Sequence, residues 1–218
     1  TKMDLVDAVH RVTLAIDIAT RLVTGYYVSF EAPSRLSIAL CLTRAVAPKA
    51  ELLADLESKA EWPAQGKPRS IHVDNGSDFQ SRAFKGACAE WGIDLRYRPP
   101  GSPHFGGHIE RLIGTMMGAV HLLPGTTQSS FAAKGSYDAE AMATMTLSEF
   151  DSWFALEICR YNNSIHSSLG CTPVAKWEAL SGAMAGDIPF DMEAFRVSFL
   201  PSELRQVRRD GIHLFDLR

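Results

Sequence analysis

The stretch that decides the fold is Ser70-Ile71-His72-Val73-Asp74-Asn75-Gly76-Ser77-Asp78-Phe79. An apolar run leads to the carboxylate of Asp74, and the Asn75-Gly76 pair that follows favours positive φ and a sharp turn of the backbone. The stretch therefore predicts a strand that presents Asp74 at its end, where α/β sheets place ligands and chemistry. An ordinary hairpin turn over residues 74–76 is the alternative interpretation.

A second acid is predicted to lie near the first. Residues 98–110 form a loop rich in Pro and Gly that runs into a helix, with Glu110 in the first helical turn. Two carboxylates on separate elements, one at a strand end and one at a helix start, suit a hard cation such as Mg²⁺, which takes oxygen ligands. Because the helix dipole alone favours an acid in a first turn, a purely structural role for Glu110 stays open.

The composition is that of an ordinary globular protein. The 218 residues suffice for one substantial domain with an appendage, and the hydrophobic share of 46% and charged share of 22% are typical. The net charge of −3 argues against non-specific coating of nucleic acid but leaves room for a local basic groove. Four scattered cysteines without a CxxC motif favour neither disulfides nor zinc, and a reducing, cytoplasmic location without a membrane span is expected.

The rest of the chain predicts alternating strands and helices. Apolar runs rich in β-branched residues indicate strands over residues 1–9, 12–19, 21–30, 71–74 and 93–97, with 12–19 and 21–30 forming a hairpin. Helical spacing indicates helices over residues 33–47, 49–61, 81–91, 110–123 and 147–161, and a short one that ends at 177. Small and polar residues indicate a linker over 181–194, and alternation over 195–200 and 211–215 indicates the start of an all-β unit.

In combination, these motifs resemble the catalytic core of retroviral integrases and DDE transposases. The resemblance rests on residues 72–79, on the spacing from Asp74 to Glu110 and on the paired glycines within 99–110. Residues 13–30 look like the hairpin that follows the first catalytic strand of this family. Residues 161–173 resemble the segment that closes the core in bacterial transposases.

The resemblance implies an α/β fold of the RNase H-like type, with a mixed five-stranded sheet flanked by helices. This core is expected over residues 1–180, followed by the linker over 181–194. Residues 195–201 with Gly211-Ile212 are similar to the start of the small β-barrel in the phage Mu transposase group. A truncated barrel is therefore expected over 195–218, and the phage Mu-like bacterial transposases are expected to be the nearest relatives.

The resemblance also implies a DNA transposase, which cleaves phosphodiesters at transposon ends and transfers the freed 3′-hydroxyl into target DNA. Asp74 and Glu110 would be its catalytic residues and would hold two Mg²⁺ or Mn²⁺ ions. In the family, a first Asp on the opening strand shares both ions and stands two residues before a Thr. Here that Asp is expected just before Thr1, and Asp4 and Asp7 are weaker substitutes because neither has the Thr after it.

Contacts to nucleic acid are expected from Asn75, His108 and Arg111. A turn-forming Asn75 and a loop His108 without a role are the alternatives. The resemblance implies transposon-end DNA and target DNA as partners, together with other copies of the chain, a target-selecting ATPase, and a bacterial cytoplasm with action at the nucleoid. Two competing functions stay open: an RNase H-like nuclease with the same fold, and a catalytically silent DNA-binding or assembly module.

Overall fold

Two short sheets and eight helices make up the part of the chain that the structure describes. The computed structural model describes residues 12–32, 34–99, 107–120, 123, 145–184, 187–202, 206, 207, 209, 211 and 212. One sheet is the antiparallel hairpin of β1 (Val12–Ile16) and β2 (Val23–Val28), and the other is the parallel pair of β3 (Ser70–Val73) and β4 (Asp94–Tyr97). The helices are α1 (Arg35–Val46), α2 (Ala50–Asp55), α3 (Ser77–Gln80), α4 (Arg82–Glu90), α5 (Gly107–Val120), α6 (Leu147–Asn162), α7 (Pro173–Met184) and α8 (Met192–Phe199).

Most of the predicted elements within the described ranges are confirmed, with shifted ends. The predicted hairpin, the two strands that follow it, and the helices α1, α4, α5 and α6 are present. The helix predicted over 49–61 is shorter, the one predicted to end at 177 continues to Met184, and α3 forms where no helix is predicted. The strand predicted over 1–9 lies outside the described residues.

Helix α1 lies directly on strand β2 at Gly25. A Cβ atom at Gly25 would come within 2.6 Å of the backbone nitrogen of Ala45 and 2.7 Å of its Cα atom. Only glycine allows two backbones to approach this closely. The side of α1 that carries Ala39, Ala45 and Val46 is consequently buried.

The hairpin, α5 and α6 enclose the larger of two hydrophobic clusters, the first cluster. Its fully buried members include Leu22, Tyr26, Met116, Phe150, Phe154 and Ile158. The guanidinium of Arg44 lies 4.3 Å from the centre of the Tyr26 ring and donates to Asp151 Oδ1 at 2.9 Å. These contacts join α1, β2 and α6 across the hairpin.

The buried side chain of Asn162 attaches α6 to the start of β2. Its Oδ1 accepts a hydrogen bond from Val23 N at 2.9 Å, and its Nδ2 donates to Val23 O at 3.2 Å. The same carbonyl accepts from the indole Nε1 of Trp62 at 2.8 Å. The amide of Asn162 thus bonds both the backbone N–H and the carbonyl of Val23, as the backbone of a neighbouring strand would. The start of the 161–173 segment therefore has a structural role.

Replacing Asn162 by leucine is expected to lower the free energy of unfolding by about 2–3 kcal/mol, because the buried N–H of Val23 loses its acceptor. Urea unfolding should show this as a lower midpoint at an unchanged slope. Asn163→Leu is the matched control, since Asn163 is exposed and its Nδ2 donates to the carbonyls of Glu61 and Cys159. The free energy of unfolding of Asn163→Leu is expected to fall by less than about 1 kcal/mol. Equal falls in the two variants would contradict the role assigned to Asn162.

The strand predicted over residues 195–200 is wrong, because this segment belongs to the helix α8. Asp191 caps the helix, and its side chain accepts a hydrogen bond from a backbone N–H of the first turn at 2.8 Å. Phe195 and Phe199 are buried, whereas Val197 between them is 53% exposed. Apolar residues at these three positions fit the alternation of a strand, but the outer two, four residues apart, also share one face of a helix.

Helix α8 completes a second cluster, which packs against β3 and β4. The cluster is made of Ala39, Leu42, Val46, Phe84, Ala87, Cys88, Ile93, Phe195 and Phe199, with Ile71, Phe79 and Leu95 packed against it. The rings of Trp91 and Phe195 meet edge to face with centroids 5.1 Å apart, and the Trp91 indole N–H donates to the Ser198 hydroxyl at 2.6 Å. The segment 192–199 therefore shares a core with the strands that lead to the predicted site.

The predicted five-stranded sheet and β-barrel are not confirmed. The described residues form two separate sheets of two strands each, and most of residues 203–218 lie outside the described ranges. The segment between α7 and α8 is shorter than the predicted linker over 181–194, and the domain boundaries stay a prediction. Within the described ranges, no helix has both the length and the apolar character that a membrane crossing requires.

Candidate functional site

Asp74 lies exposed in a tight turn that directly follows β3. Its Oδ1 accepts a hydrogen bond from Gly76 N at 2.8 Å, and α3 begins at the next residue. The hairpin alternative is wrong, because β3 pairs in parallel with β4 and a helix follows the turn. The expected positive φ is also wrong, since Gly76 has a φ of −58°. Glycine is needed here for a different reason: a Cβ atom would lie 2.9 Å from Asp74 Oδ1.

The end of β3 is fastened to the end of β4 on both sides of Asp74. Arg98 N donates to Val73 O at 2.9 Å, and the side-chain Nδ2 of Asn75 donates to Arg98 O at 3.0 Å. The hydroxyl of Tyr97 donates to Phe79 O at 2.6 Å and so holds α3. Burial raises the pKa of the Tyr97 phenol, which therefore keeps its proton.

Glu110 lies exposed in the first turn of α5, as predicted. The opposite side of this helix buries Leu112, Met116 and Val120 in the first cluster, which fixes the direction of the helix. Arg111 is exposed as well, and its Nε donates to the carbonyl of Gly107 within the same helix at 3.1 Å. The side chain of His108 lies outside the described residues.

An open cleft of about 680 Å³ lies between β1 and β3. Residues 13–19 line it on one side and residues 64–73 on the other, with Cys41, Leu42 and Ala45 of α1 also contributing. Burial raises the pKa of the Cys41 thiol to about 12, so this group stays neutral. The lining from α1 and the two strands is thus mainly uncharged.

Two residues of the cleft lining directly precede the two predicted acids. Val73 precedes Asp74 and Ile109 precedes Glu110, and both line the cleft together with Arg98. The end of β3 and the start of α5 therefore border one cleft, although neither Asp74 nor Glu110 is itself among the lining residues. Among the described residues, no group of three or more His, Cys, Asp or Glu side chains is placed to hold a metal ion.

The charged residues of the cleft lining are mostly basic. Among the described residues, Lys67, Arg69 and Arg98 line it on the basic side and Asp17 on the acidic side. Asp17 Oδ1 already accepts hydrogen bonds from Thr20 in the β1–β2 turn, and Lys67 Nζ donates to Trp91 O at 2.6 Å. Such a surface attracts phosphate groups despite the negative net charge of the chain. The anchoring roles of the Arg98 backbone and of Tyr97 depend on a strand pairing that the sequence does not display.

The sequence is similar to two curated transposition proteins. Over 208 residues it is 27% identical to the transposase for transposon Tn552 of Staphylococcus aureus, which covers 94% of this chain and 40% of that protein. Over 221 residues it is 24% identical to the transposon Tn7 transposition protein TnsB of Escherichia coli, which covers 94% of this chain and 31% of that protein. The chain thus spans less than half the length of these relatives.

The fold is similar to that of a chain in the cryo-EM structure of the simian T-cell lymphotropic virus intasome in complex with the PP2A regulatory subunit B56 gamma. The TM-score is 0.50, and the similarity covers 88% of this chain and 55% of that chain at 16% identity. At this identity the likeness concerns the fold alone. It confirms the mixed α/β fold that the integrase resemblance predicts.

The family described as the TnsB C-terminal domain matches residues 7–125, which is more than half of the chain. The matched segment contains all four strands and both predicted acids, Asp74 and Glu110. The predicted placement among transposases and integrases is confirmed, whereas a particular closeness to the phage Mu group stays a prediction. The chain belongs to the TnsB C-terminal domain family.

Proposed function

We propose that this chain is the catalytic part of a DNA transposase, which cleaves phosphodiesters at transposon ends and joins the freed 3′-hydroxyls to target DNA. The observation that carries the proposal is the placement of Asp74 and Glu110 directly after Val73 and Ile109, which line one cleft. Membership of the TnsB C-terminal domain family supports it. Both steps are displacements at phosphorus, so one site serves both.

The chemistry of the two acids fits divalent cations such as Mg²⁺ or Mn²⁺. Both side chains are exposed carboxylates, and the turn uses only Oδ1 of Asp74. Mg²⁺ is usually held by one or two carboxylates together with substrate phosphates. Asp74 and Glu110 would therefore hold the ions, and we place the first carboxylate of the proposed triad outside the described residues.

When bound, two such ions supply charge stabilisation at the phosphoryl group and activation of the attacking oxygen. The residues of the chain have the complementary tasks. Lys67, Arg69 and Arg98 on the cleft lining neutralise phosphates of the DNA backbone and so position the scissile strand. His108 and Arg111, from the first turns of α5, are proposed as further DNA contacts beside Glu110.

We further propose that the cleft between β1 and β3 is the place where the fifth strand of the predicted sheet would lie. Consecutive residues of both strands line the cleft, and each strand belongs to a separate two-stranded sheet. A strand placed here would pair with both and join the two sheets into the predicted five-stranded sheet.

Transposon-end DNA and target DNA are the proposed substrates, and other copies of the protein assembled on DNA are the proposed partners. A target-selecting ATPase is proposed on family resemblance alone. A catalytically silent DNA-binding or assembly module is the second candidate function.

The deciding experiment is a cleavage assay on a labelled duplex that carries the ends of the protein's own element. The chain is extended on its N-terminal side to include the proposed first acid. Cleavage and strand transfer are expected with Mg²⁺ or Mn²⁺ and are expected to stop in EDTA. Binding of the duplex without cleavage at any metal concentration would favour the silent module, and cleavage of an RNA–DNA hybrid alone would favour an RNase H-like nuclease.

A further inference from the structure

We propose that Asn75 is a positioning residue that holds the carboxylate of Asp74 in a fixed orientation, and that its amide is not a contact to DNA. This inference rests on the proposed function, in which Asp74 is a metal ligand. It replaces the DNA contact that the family resemblance implies for this side chain. Three features of the β3–β4 junction carry it.

The first feature is the anchoring of both neighbours of Asp74 to one residue. Val73 O accepts from Arg98 N at 2.9 Å, and Asn75 Nδ2 donates to Arg98 O at 3.0 Å. The backbone ladder of the parallel pair ends at Val73, so the side-chain amide of Asn75 adds the next rung. Asp74 therefore lies between two fixed points and has little freedom to swing.

The second feature is the fit of the carboxylate inside the turn. Gly76 N donates to Asp74 Oδ1 at 2.8 Å, and the absence of a side chain at Gly76 makes room for that oxygen. The backbone N–H of Gly76 directly follows Asn75, so the direction of this donor depends on where Asn75 is held. A rotation of the Asn75 peptide would turn the donor away from Asp74.

The third feature is the anchor on the far side of the turn. Tyr97 donates from its hydroxyl to Phe79 O at 2.6 Å, and the ring of Phe79 packs edge to face against Phe84 with centroids 5.6 Å apart. The segment from Asp74 to Phe79 is thus held at both ends by residues of the β4 end. Tyr97 is half-buried, and its hydroxyl bonds the helix that follows the turn.

A positioning role and a DNA contact have different consequences. Groups that orient a metal ligand typically change metal affinity by about 10- to 100-fold when they are removed. If the amide only orients a ligand, its loss leaves DNA affinity unchanged; if it contacts DNA directly, its loss lowers DNA affinity and leaves metal affinity unchanged. Because the amide is neutral, it releases no counterions, and the salt dependence of DNA binding is expected to stay the same in both cases.

The test compares wild type with Asn75→Ala, Tyr97→Phe and the control Ser77→Ala, whose hydroxyl makes no hydrogen bond in the described residues. Backbone order parameters of residues 74–76 are measured by NMR relaxation, together with Mn²⁺ affinity and with DNA affinity in EDTA at two salt concentrations. For Asn75→Ala, the order parameters are expected to fall from about 0.85 to below about 0.6. Mn²⁺ affinity is expected to fall about tenfold, with DNA affinity within about twofold of wild type.

Tyr97→Phe is expected to change order and Mn²⁺ affinity in the same direction, and Ser77→Ala to change neither. Unchanged order parameters in Asn75→Ala would overturn the positioning role, and a tenfold loss of DNA affinity at unchanged order would assign the amide to DNA. If wild type, extended on its N-terminal side to include the proposed first acid, binds no Mn²⁺, the proposed function fails at this site. The order parameters still decide whether Asn75 holds the turn.

Discussion

Replacing Asp74 by asparagine is expected to lower the rate of metal-dependent DNA cleavage by at least about 1000-fold, equivalent to about 4 kcal/mol of transition-state stabilisation. The two side chains have the same shape, and the amide oxygen of the variant still accepts the hydrogen bond from Gly76 N. The turn is therefore preserved, and the change removes only the negative charge and the ligand strength of the carboxylate. Single-turnover cleavage of an end duplex measures the loss.

Asp78→Asn provides the matched control for this prediction. Asp78 lies four residues further on in α3, and its carboxylate is 3.9 Å from the guanidinium of Arg35. Its replacement is expected to leave the cleavage rate within about twofold, because an exposed ion pair of this length contributes little. Similar losses in the two variants would mean that the local charge, and not the position of Asp74, supports the chemistry.

Glu110→Gln is expected to reduce cleavage as strongly as Asp74→Asn. The double variant is expected to be no slower than either single one, because residues that act as a unit in one site are not additive. Additive losses would show that the two acids act at separate sites and would contradict the proposal that they act in one site.

Replacing Gly25 by alanine is expected to destabilise the fold by about 3 kcal/mol. The new methyl group would stand 2.6–2.7 Å from the backbone of Ala45, and backbone atoms cannot move aside as the end of a flexible side chain can. Helix α1 would have to lift from β2 and so disturb the contacts between Arg44, Tyr26 and Asp151. Equilibrium urea unfolding measures the change as a lower midpoint.

Gly86→Ala provides the opposite outcome in the same assay. Gly86 lies on the exposed side of α4, and a Cβ atom there meets nothing within 4 Å. Because glycine inside a helix costs about 0.5–1 kcal/mol relative to alanine, this variant is expected to gain stability by that amount. A Gly25→Ala protein as stable as wild type would show that α1 and β2 are not in close contact in solution.

Much of the secondary structure is predictable from the sequence because its signals are local. The β-branched run over residues 12–16 and the alternation of apolar residues in 70–73 are readable without tertiary information. The segment 195–199 is not, since phenylalanines four residues apart fit a strand and a helix equally well. What selects the helix is a distant partner, the second cluster with Trp91 and Phe84.

The sequence predicts the two acids of the site, but not the residues that hold the turn around Asp74. Asp74 and Glu110 are visible from the elements that end and begin at them. The Asn75-Gly76 pair suggests positive φ, yet Gly76 has a φ of −58° because the carboxylate of Asp74, and not the chain direction, sets the turn. Arg98 and Tyr97 contribute because β4 pairs in parallel with β3. Since β4 begins 20 residues after Asp74 in the sequence, no local pattern reveals this pairing.

The two proposed metal ligands lie on elements that pack into different hydrophobic clusters. Asp74 follows β3, whose Ile71 packs against the second cluster, whereas Glu110 starts α5, whose Leu112 and Met116 belong to the first. The distance between the two carboxylates therefore depends on how the clusters are docked. By thermodynamic linkage, an ion shared by both acids stabilises the docked arrangement, by about 2.7 kcal/mol at 100 times its dissociation constant. The bound ion would then stabilise one arrangement of the two clusters. A protein in which the clusters separate would lose the proposed DNA cleavage before it loses its helices.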